Sequence, residues 1–428
     1  MEQALYQAYL DILKQELVPA LGCTEPIAIA LAAAKARDVL GELPASLEIR
    51  CSGNIIKNVM GVVVPNSGGM KGIGAAAVLG VLGGDGDREL EVLSGVTDAQ
   101  RQRARELLQT DYFTCTLQEH VDNLYIVAIA RSAAHRAEVT IVNRHTLISR
   151  VVRDGAVLLE RAVGGGEEQT CDKSRLNVRD ILEFAEAVRP EELEDTIGAQ
   201  IACSTRISRE GLRGGFGVQV GRTLLERFGN DVRTRARARA AAGSDARMGG
   251  CALPVVINSG SGNQGLTVSL PVIEYAEHLG VGRDKLYRAL VISNLISIHQ
   301  KRYIGSLSAF CGAVTAACGA GAAITYLHGG GYEQICNTIT NTLANVGGIV
   351  CDGAKPSCAA KIASAVDAAI LAHEISMSGR AFSCGEGIVQ DDVESTIQSV
   401  GYVGRVGMGP TDTEILHIMT NEIQFSRG

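Results

Sequence analysis

The spacing of hydrophobic residues divides the chain into a mixed first third and a helical remainder. Segments 2–17 and 26–40 repeat apolar residues at helical spacing, with a break from Pro19 to Pro26. Short runs rich in Val, Ile and Tyr follow, and several alternate apolar with polar residues as half-buried strands do. The predicted strands span 46–51, 59–64, 112–117, 124–130, 137–143 and 147–153.

Helical patterns interrupt these strands at 71–82 and 98–109, and from residue 177 onward helical patterns predominate. The predicted helices of this second part span 177–188, 191–208, 216–228, 265–279, 283–300, 306–327, 332–345, 359–378 and 411–423. The fold class that this order indicates is α+β, with a mostly helical domain and a smaller mixed domain of about six strands.

Three segments make up the predicted domain organisation. The mixed domain covers 45–165, and a polar, glycine-rich stretch at 164–171 is the predicted linker. The helical domain covers 166–428. Because the opening helices are as alanine-rich as the later ones, we expect residues 1–44 to pack with the helical domain. The mixed domain is then an insertion in the chain order of a helical domain.

The composition of the chain limits the kinds of partner that it is expected to bind. The 428 residues carry a net charge of −7, which argues against a phosphate-backbone partner, so we expect no nucleic acid. The stretch 303–332 has no charged side chain, but it consists mainly of Ala, Gly, Ser and Cys. A lipid-facing span would contain Leu, Ile and Phe instead, so a buried helix and no membrane partner are predicted.

The chain contains twelve cysteines, which bear on its compartment. The first residues are acidic and polar and lack the basic and apolar regions of a signal peptide. We therefore expect a reducing, cytoplasmic environment with free thiols. No Cys-x-x-Cys occurs, so a zinc ribbon has little support. The cysteines expected to serve only as small packing residues are Cys51, Cys115, Cys171, Cys203, Cys251, Cys336 and Cys384.

Cys351 and Cys358 flank the sequence Asp-Gly-Ala-Lys-Pro-Ser. Asp-Gly and Lys-Pro break a helix, so this segment is predicted to be a loop that can place both sulfurs around one ligand. Cys358 is predicted to begin the next helix. Two cysteines on such a loop and a third from elsewhere are what an iron–sulfur cluster with one open iron requires. The third is Cys311 or Cys318, which lie seven residues apart on a predicted helix. The alternative is that all are plain buried cysteines.

Cys23 lies where the second helix begins. Thr24 is a plausible N-cap, and Glu25 and Pro26 fall in the first turn. The positive end of a helix makes a thiol more acidic, so we expect Cys23 to ionise readily. It is a candidate fourth cluster ligand, acid/base group or nucleophile. The alternative is a small residue in a tight interhelical turn.

Two glycine-rich loops precede helices, at 66–72 and 258–265. Such loops expose backbone N–H groups to carboxylates or phosphates, although many are ordinary turns. The second also looks like a loop of pyridoxal-phosphate dehydratases, but no lysine is clearly placed to form the Schiff base. An arginine-rich segment at 233–247 is expected to be a solvated helix face. The predicted substrate-binding side chains of the loops are Asn66, Ser67, Ser261 and Asn263, with Lys71 nearby.

Four motifs together carry a resemblance to a known family. They are Leu-Gly-Cys-Thr-Glu-Pro at 21–26, Pro-Asn-Ser-Gly-Gly-Met-Lys-Gly at 65–72, Gly-Ser-Gly-Asn-Gln-Gly at 260–265 and Cys-Asp-Gly-Ala-Lys-Pro-Ser-Cys at 351–358. The chain resembles, over its whole length, the L-cysteine desulfidase family, which is related to the α-chain domain of iron–sulfur L-serine dehydratases. The resemblance implies a carbon–sulfur lyase with a [4Fe-4S] cluster that converts L-cysteine to pyruvate, ammonia and hydrogen sulfide.

The resemblance also assigns residues. It implies cluster ligation by Cys311, Cys351 and Cys358, choosing Cys311 over Cys318, and a catalytic or ligand-exchange role for Cys23. Two departures from the serine dehydratases favour the desulfidase branch: the shorter spacing of the last cysteine pair, and Asn-Ser-Gly-Gly-Met-Lys where they carry a histidine-containing motif. L-serine stays open as a substrate, and so does a non-enzymatic iron–sulfur redox sensor.

The mechanism expected from these residues is a β-elimination. The open iron binds the substrate carboxylate, and a base removes the α-proton. The candidate bases are Cys23 as a thiolate and Lys71, if burial lowers its pKa. Sulfide then leaves, and the resulting aminoacrylate hydrolyses. We expect a small amino acid as the partner of the site and a homo-oligomer, a dimer, as the assembly.

Overall fold

A computed structural model describes residues 1–161, 171–305 and 307–423. Apart from Cys171, the predicted linker at 164–171 lies outside these described residues.

The described helices of the first part are α1 (Gln3–Glu16), α2 (Thr24–Leu40), α3 (Gly53–Val59), α4 (Gly72–Gly83) and α5 (Asp98–Leu107). Those of the second part are α6 (Val178–Ala187), α7 (Ala199–Arg213), α8 (Val220–Phe228), α9 (Val232–Met248), α10 (Gly262–Leu279), α11 (Arg283–Ile304), α12 (Gly312–Leu327), α13 (Tyr332–Val346), α14 (Cys358–Met377), α15 (Val393–Tyr402) and α16 (Gly409–Met419).

The described strands are β1 (Pro19–Leu21), β2 (Ser46–Cys51), β3 (Phe113–Leu117), β4 (Tyr125–Arg131), β5 (Arg136–Val142), β6 (Ile148–Arg153), β7 (Ala156–Glu160) and β8 (Pro254–Val256). Six of them form one mixed sheet in the order β3-β2-β4-β5-β6-β7, in which only the β2–β3 pair is parallel. Strands β1 and β8 form a separate antiparallel ribbon. The predicted α+β class, with a mostly helical part and a six-stranded mixed part, is confirmed.

One predicted strand is wrong, and three described strands, β1, β7 and β8, were not predicted. Segment 59–64 ends helix α3 and continues as a turn, in which Val63 makes only an isolated bridge to Lys71. Val59, Val62 and Val64 are buried in the core of the mixed part without joining a sheet. The missed strand β7 follows an Asp154-Gly155 turn with positive φ at both residues, which is a hairpin signal that the sequence does contain.

The two opening helices lie in different cores. Helix α1 packs in the helical core, where Tyr6 and Tyr9 each stack near Phe184, with ring centroids 5.3 and 5.4 Å away. Helix α2 instead covers the sheet together with α4, which corrects the expectation that both pack with the helical domain. Small residues allow this, since a Cβ on Gly80 would lie 2.3 Å from the Ala30 carbonyl oxygen.

Close packing of small residues also builds the helical core. Helix α12, which occupies most of the charge-free stretch, is buried nearly throughout. A Cβ on its Gly319 would lie 2.3 Å from the carbonyl oxygen of Ser293 in α11. Among the residues that the structure describes, no helix is long and apolar enough to cross a membrane.

The arginine-rich helix α9 is mostly buried, so its expected role as a solvated face is wrong. Its alanines pack in the core, and Arg235 and Arg239 form ion pairs with the buried Glu274 at 2.5 and 2.6 Å. Arg247 at its end is only 3 % exposed. The alternation of Arg and Ala resembles an exposed helix, but the alanines are buried and Arg235, Arg239 and Arg247 have partners inside the fold. Helix α15 was not predicted.

The ribbon of β1 and β8 joins the start of the chain to the helical part. Pro19 pairs with Val256 and Leu21 with Pro254. Because the strands are antiparallel, the two chain segments that follow them leave the ribbon at opposite ends. They are joined again where the Thr24 hydroxyl donates a hydrogen bond to the Gly260 carbonyl at 2.9 Å.

Candidate functional site

A cavity of about 740 Å³ lies where the mixed and helical parts meet. Four cysteines from separate chain segments line it: Cys23, Cys311, Cys351 and Cys358. The structure thus brings all three predicted cluster ligands, and the predicted fourth, to one cavity. Their role as ligands stays a prediction.

Backbone pairing explains why Cys311 and Cys351 are neighbours. Phe310 and Val350 form an isolated antiparallel bridge. Beside it the Cys311 N–H donates to the Ile349 carbonyl at 3.1 Å, and the Cys351 N–H donates to the Ala309 carbonyl at 2.6 Å. These bonds fix both thiols on the same wall of the cavity.

The loop before α14 wraps around the third thiol. Cys358 is the first residue of α14, as predicted, and its sulfur accepts a hydrogen bond from the Lys355 N–H at 3.5 Å. Gly353 has φ +96°, and a Cβ there would lie 2.4 Å from the Lys57 carbonyl oxygen. Gly353 of the motif therefore allows the loop to pack directly against α3.

Three of the four cysteines lie at helix N-termini. Cys23 and Cys311 are the residues before α2 and α12, and Cys358 is the first residue of α14. The N-terminus of a helix carries partial positive charge that favours anions. Two buried lysines, Lys57 and Lys301, line the same cavity. The cavity is therefore suited to negative charge.

The thiols of Cys311 and Cys351 share a hydrogen bond, which shifts their two pKa values in opposite directions. It lowers the pKa of Cys351 and raises the pKa of Cys311 well above its ordinary value. Cys318 does not belong to this group. It is fully buried on α12, its sulfur faces the Ile339 carbonyl at 3.8 Å, and burial raises its pKa to about 12.

This donor set fits an iron–sulfur cluster in its chemistry. Among the described residues, no group of three His, Cys, Asp or Glu side chains is arranged to hold a single metal ion. A four-iron cluster is bound by thiolates at separate irons, so it requires sulfurs around one cavity. The residues that could hold it are Cys311, Cys351 and Cys358, with Cys23 on the same cavity.

The expectation of an acidic Cys23 thiol is wrong. Cys23 is 2 % exposed, and its thiol donates a hydrogen bond to the Glu25 carboxylate at 3.1 Å. Burial and this carboxylate raise the pKa of Cys23 well above its ordinary value, which outweighs the helix N-terminus and the nearby Arg247. The thiol keeps its proton and is a poor free base.

Sequence reasoning missed Glu25, His145 and Arg247, which line the cavity beside Cys23. The Arg247 Nε donates to the Gly22 carbonyl at 2.9 Å. Burial alone would raise the pKa of Glu25, but His145 and the hydrogen bond from Cys23 outweigh it and lower that pKa. The sequence carries no signal for His145, since it lies in the short turn between β5 and β6.

His145 is half-buried, and its surroundings favour the neutral imidazole. Burial lowers its pKa, although the Glu25 carboxylate acts in the opposite direction. Its Nε2 is buried without a hydrogen-bond partner among the described residues. The ring lies over the second glycine-rich loop, since a Cβ on Gly260 would be 3.3 Å from its Cε1.

The second glycine-rich loop lies at the cavity as predicted. Ser261 caps α10 and lines the cavity together with Asn263 and Gln264. The side-chain oxygens of Asn263 and Gln264 are both buried without a hydrogen-bond partner among the described residues. Unsatisfied buried acceptors are costly, so these two oxygens are available to a ligand that donates hydrogen bonds.

The first glycine-rich loop serves as a turn and does not line this cavity. Asn66 is held by its own bonds, to the Leu93 carbonyl at 2.9 Å and from Arg101 at 2.6 Å. The Ser67 hydroxyl donates to the Met70 carbonyl at 3.0 Å. Lys71 is exposed, so the burial that its proposed role as a base requires is absent. These three predicted contacts with substrate are not supported.

The chain matches known proteins over most of its length. The sequence profile described as "Serine dehydratase alpha chain" matches residues 87–417. A "UPF0597 protein" of Lachnoclostridium phytofermentans is 54% identical over 417 residues, which cover 97% of this chain and 100% of the relative. A "UPF0597 protein" of Treponema denticola is 45% identical over 433 residues, 99% of this chain and 100% of the relative. The chain therefore belongs to the serine dehydratase alpha chain family.

Proposed function

We propose that this protein is a [4Fe-4S]-dependent lyase that eliminates hydrogen sulfide from L-cysteine and yields pyruvate and ammonia. The family supports a serine dehydratase-like lyase. The observation that carries the proposal is the meeting of Cys23, Cys311, Cys351 and Cys358 on one buried cavity.

Cys311, Cys351 and Cys358 would hold the cluster, and Lys57 and Lys301 would balance its negative charge. When bound, the cluster supplies a Lewis acid with one position open to substrate. Cys23 would occupy that position in the resting protein and give way to substrate. This role suits a thiol that holds its proton when no metal is near, because thiols lose their proton on binding a metal.

The cavity also carries groups that match an α-amino acid. Arg247 is buried at the cavity wall, and a guanidinium binds a carboxylate in bidentate fashion. The free side-chain oxygens of Asn263 and Gln264 can accept hydrogen bonds from an ammonium group. Ser261 lines the same cavity. The proposed substrate is therefore a small zwitterion.

In the elimination the C–H bond at the substrate Cα and the C–S bond at Cβ break, and sulfide leaves. The aminoacrylate product tautomerises and hydrolyses to pyruvate and ammonia.

We propose in addition that the protein works in the cytoplasm as a homodimer. Light scattering of the purified protein measures its mass in solution and so tests the dimer. A mass equal to that of one chain would contradict it.

The test is anaerobic incubation of reconstituted protein with L-cysteine, with sulfide and pyruvate measured together. Equal amounts of both products are expected, and D-cysteine is the control that should give neither. Protein that holds iron and gives no pyruvate contradicts the proposal and favours the redox sensor.

L-serine is the second candidate substrate, since the family carries the name of serine dehydratases. The ratio of kcat/KM for L-cysteine and L-serine separates the two. A higher value for L-serine overturns the desulfidase proposal and leaves a serine dehydratase.

A further inference from the structure

We infer that His145 is the catalytic base that takes the α-proton of the substrate. The inference rests on the proposed function and assigns a residue that none of the sequence motifs contains. It begins from an unpartnered polar atom, the Nε2 of His145, which is buried at the wall of the cavity.

The fold brings this imidazole to the cavity from the mixed domain. His145 lies in the turn that joins β5 and β6, and the turn is fixed by the Asn143 N–H, which donates to the Leu124 carbonyl at 2.9 Å. The ring meets Gly260 of the loop that leads into α10. His145 lines the cavity together with Arg247 and Asn263, the proposed substrate-binding groups, and Arg247 is one of its charged neighbours.

The other basic groups of the cavity are less suitable. Cys23 is assigned to the open position of the cluster in the proposed function, and its thiol donates a hydrogen bond to Glu25 at 3.1 Å. Lys301 lies beside the thiols of Cys311 and Cys351, where the proposed function assigns it to balance the charge of the cluster. His145 has a free ring nitrogen and lies apart from those thiols, with Glu25 and Arg247 as its charged neighbours.

In the proposed reaction the proton and both electron pairs are accounted for. The α-proton moves to Nε2 of His145, the electron pair of the C–H bond forms the double bond between Cα and Cβ, and sulfide leaves with the pair of the C–S bond. The imidazolium that forms is stabilised by the Glu25 carboxylate and later returns its proton to solvent. A general base of this kind contributes roughly 10²–10⁴-fold to the rate.

The test compares His145→Ala with His135→Ala in reconstituted protein. His135 is the matched control, because it lies in the turn between β4 and β5 of the same sheet and its side chain is 42% exposed. We expect His145→Ala to lose at least about 100-fold in kcat. Its iron content and its affinity for L-alanine, a substrate analogue without a leaving group, should match those of His135→Ala. Added imidazole should restore part of its activity.

The outcomes separate the inference from the proposed function. Wild-type protein that yields no pyruvate overturns both. Active wild type with equal activity in the two variants overturns the inference alone. So does loss of L-alanine binding in His145→Ala, or failure of imidazole to restore activity, since either result points to a role in structure or binding.

Discussion

The Lys57 ammonium forms an ion pair with the carboxylate of Asp412, which lies 355 residues later in the chain. The other oxygen of Asp412 accepts a hydrogen bond from the Ala309 N–H at 2.9 Å. One carboxylate thus ties α3 and α16 to the segment that carries Cys311. Because the Lys57 carbonyl also abuts Gly353, this pair supports the wall that carries the proposed cluster ligands.

The Lys57–Asp412 pair should matter more for stability than an exposed pair. Lys57 is 2% exposed, so Asp412→Asn leaves a buried charge and should cost about 3–5 kcal/mol of the free energy of unfolding. The control is Asp87→Asn, whose pair with Lys35 is solvated, so its loss should change the free energy of unfolding little. Urea unfolding measures both. Equal costs for the two variants would contradict the role given to Lys57.

Gly353 should tolerate no side chain. Gly353→Ala combines φ +96° with a contact of 2.4 Å to a backbone oxygen, whereas Gly379→Ala has φ +73° and no atom within 4 Å. Positive φ costs about 1–2 kcal/mol in either variant. Only Gly353→Ala must also move the loop between Cys351 and Cys358. We expect Gly353→Ala to lose iron after reconstitution and Gly379→Ala to retain it. Equal iron contents would mean that the loop can shift freely.

Local signals account for what could be predicted of this fold. Pro-Ser before Cys358 marks the start of a helix, and alternating residues mark strands such as Ser46–Cys51. The first motif placed Cys23 at a helix start but gave the wrong acidity. A single sequence does not show that the Glu25 carboxylate turns back to a thiol that is only 2 % exposed.

Residues brought in by distant segments could not be predicted. His145 comes from a hairpin turn and Arg247 from a helix whose pattern looks solvated, and both reach the cavity only when the two parts of the chain pack together. Lys71, by contrast, lies in a specific motif and still faces solvent. A motif therefore indicates a conformation more directly than it indicates which side chain meets the substrate.

Cys23 should resist alkylation in cluster-free protein. Its pKa is raised by burial and by Glu25, so little thiolate is present at pH 8. Cys115 is exposed, and a hydrogen bond from Cys51 lowers its pKa. We expect iodoacetamide to label Cys115 at least tenfold faster, as measured by peptide mass spectrometry. Comparable rates in folded protein would show that Cys23 ionises after all.

Acid should weaken the fold through His373. Burial, with help from the neighbouring His328, lowers the pKa of His373 to about 4, so the unfolded chain takes up its proton first as the pH falls. Stability is therefore complete above pH ~6.5 and is lost towards pH 4, by up to about 3 kcal/mol. Asp245, whose pKa burial raises to about 6, acts in the opposite direction.

The difference between wild type and His373→Gln isolates this effect. Urea unfolding at pH 7 and pH 4.5 should show a smaller acid loss in the variant, while the exposed control His135→Gln keeps the wild-type loss. An unchanged loss in His373→Gln would mean that another group carries the acid sensitivity.

The central claim is that three thiols on one cavity wall hold a cluster. The most direct measurement is the iron and acid-labile sulfide bound by anaerobically reconstituted Cys311→Ala, Cys351→Ala and Cys358→Ala, with Cys318→Ala as the control from the same helix as Cys311. The account predicts that the control binds as much of both as wild type and that the three variants lose the cluster together with sulfide release from L-cysteine. A variant of the three that keeps wild-type activity without bound iron would contradict it.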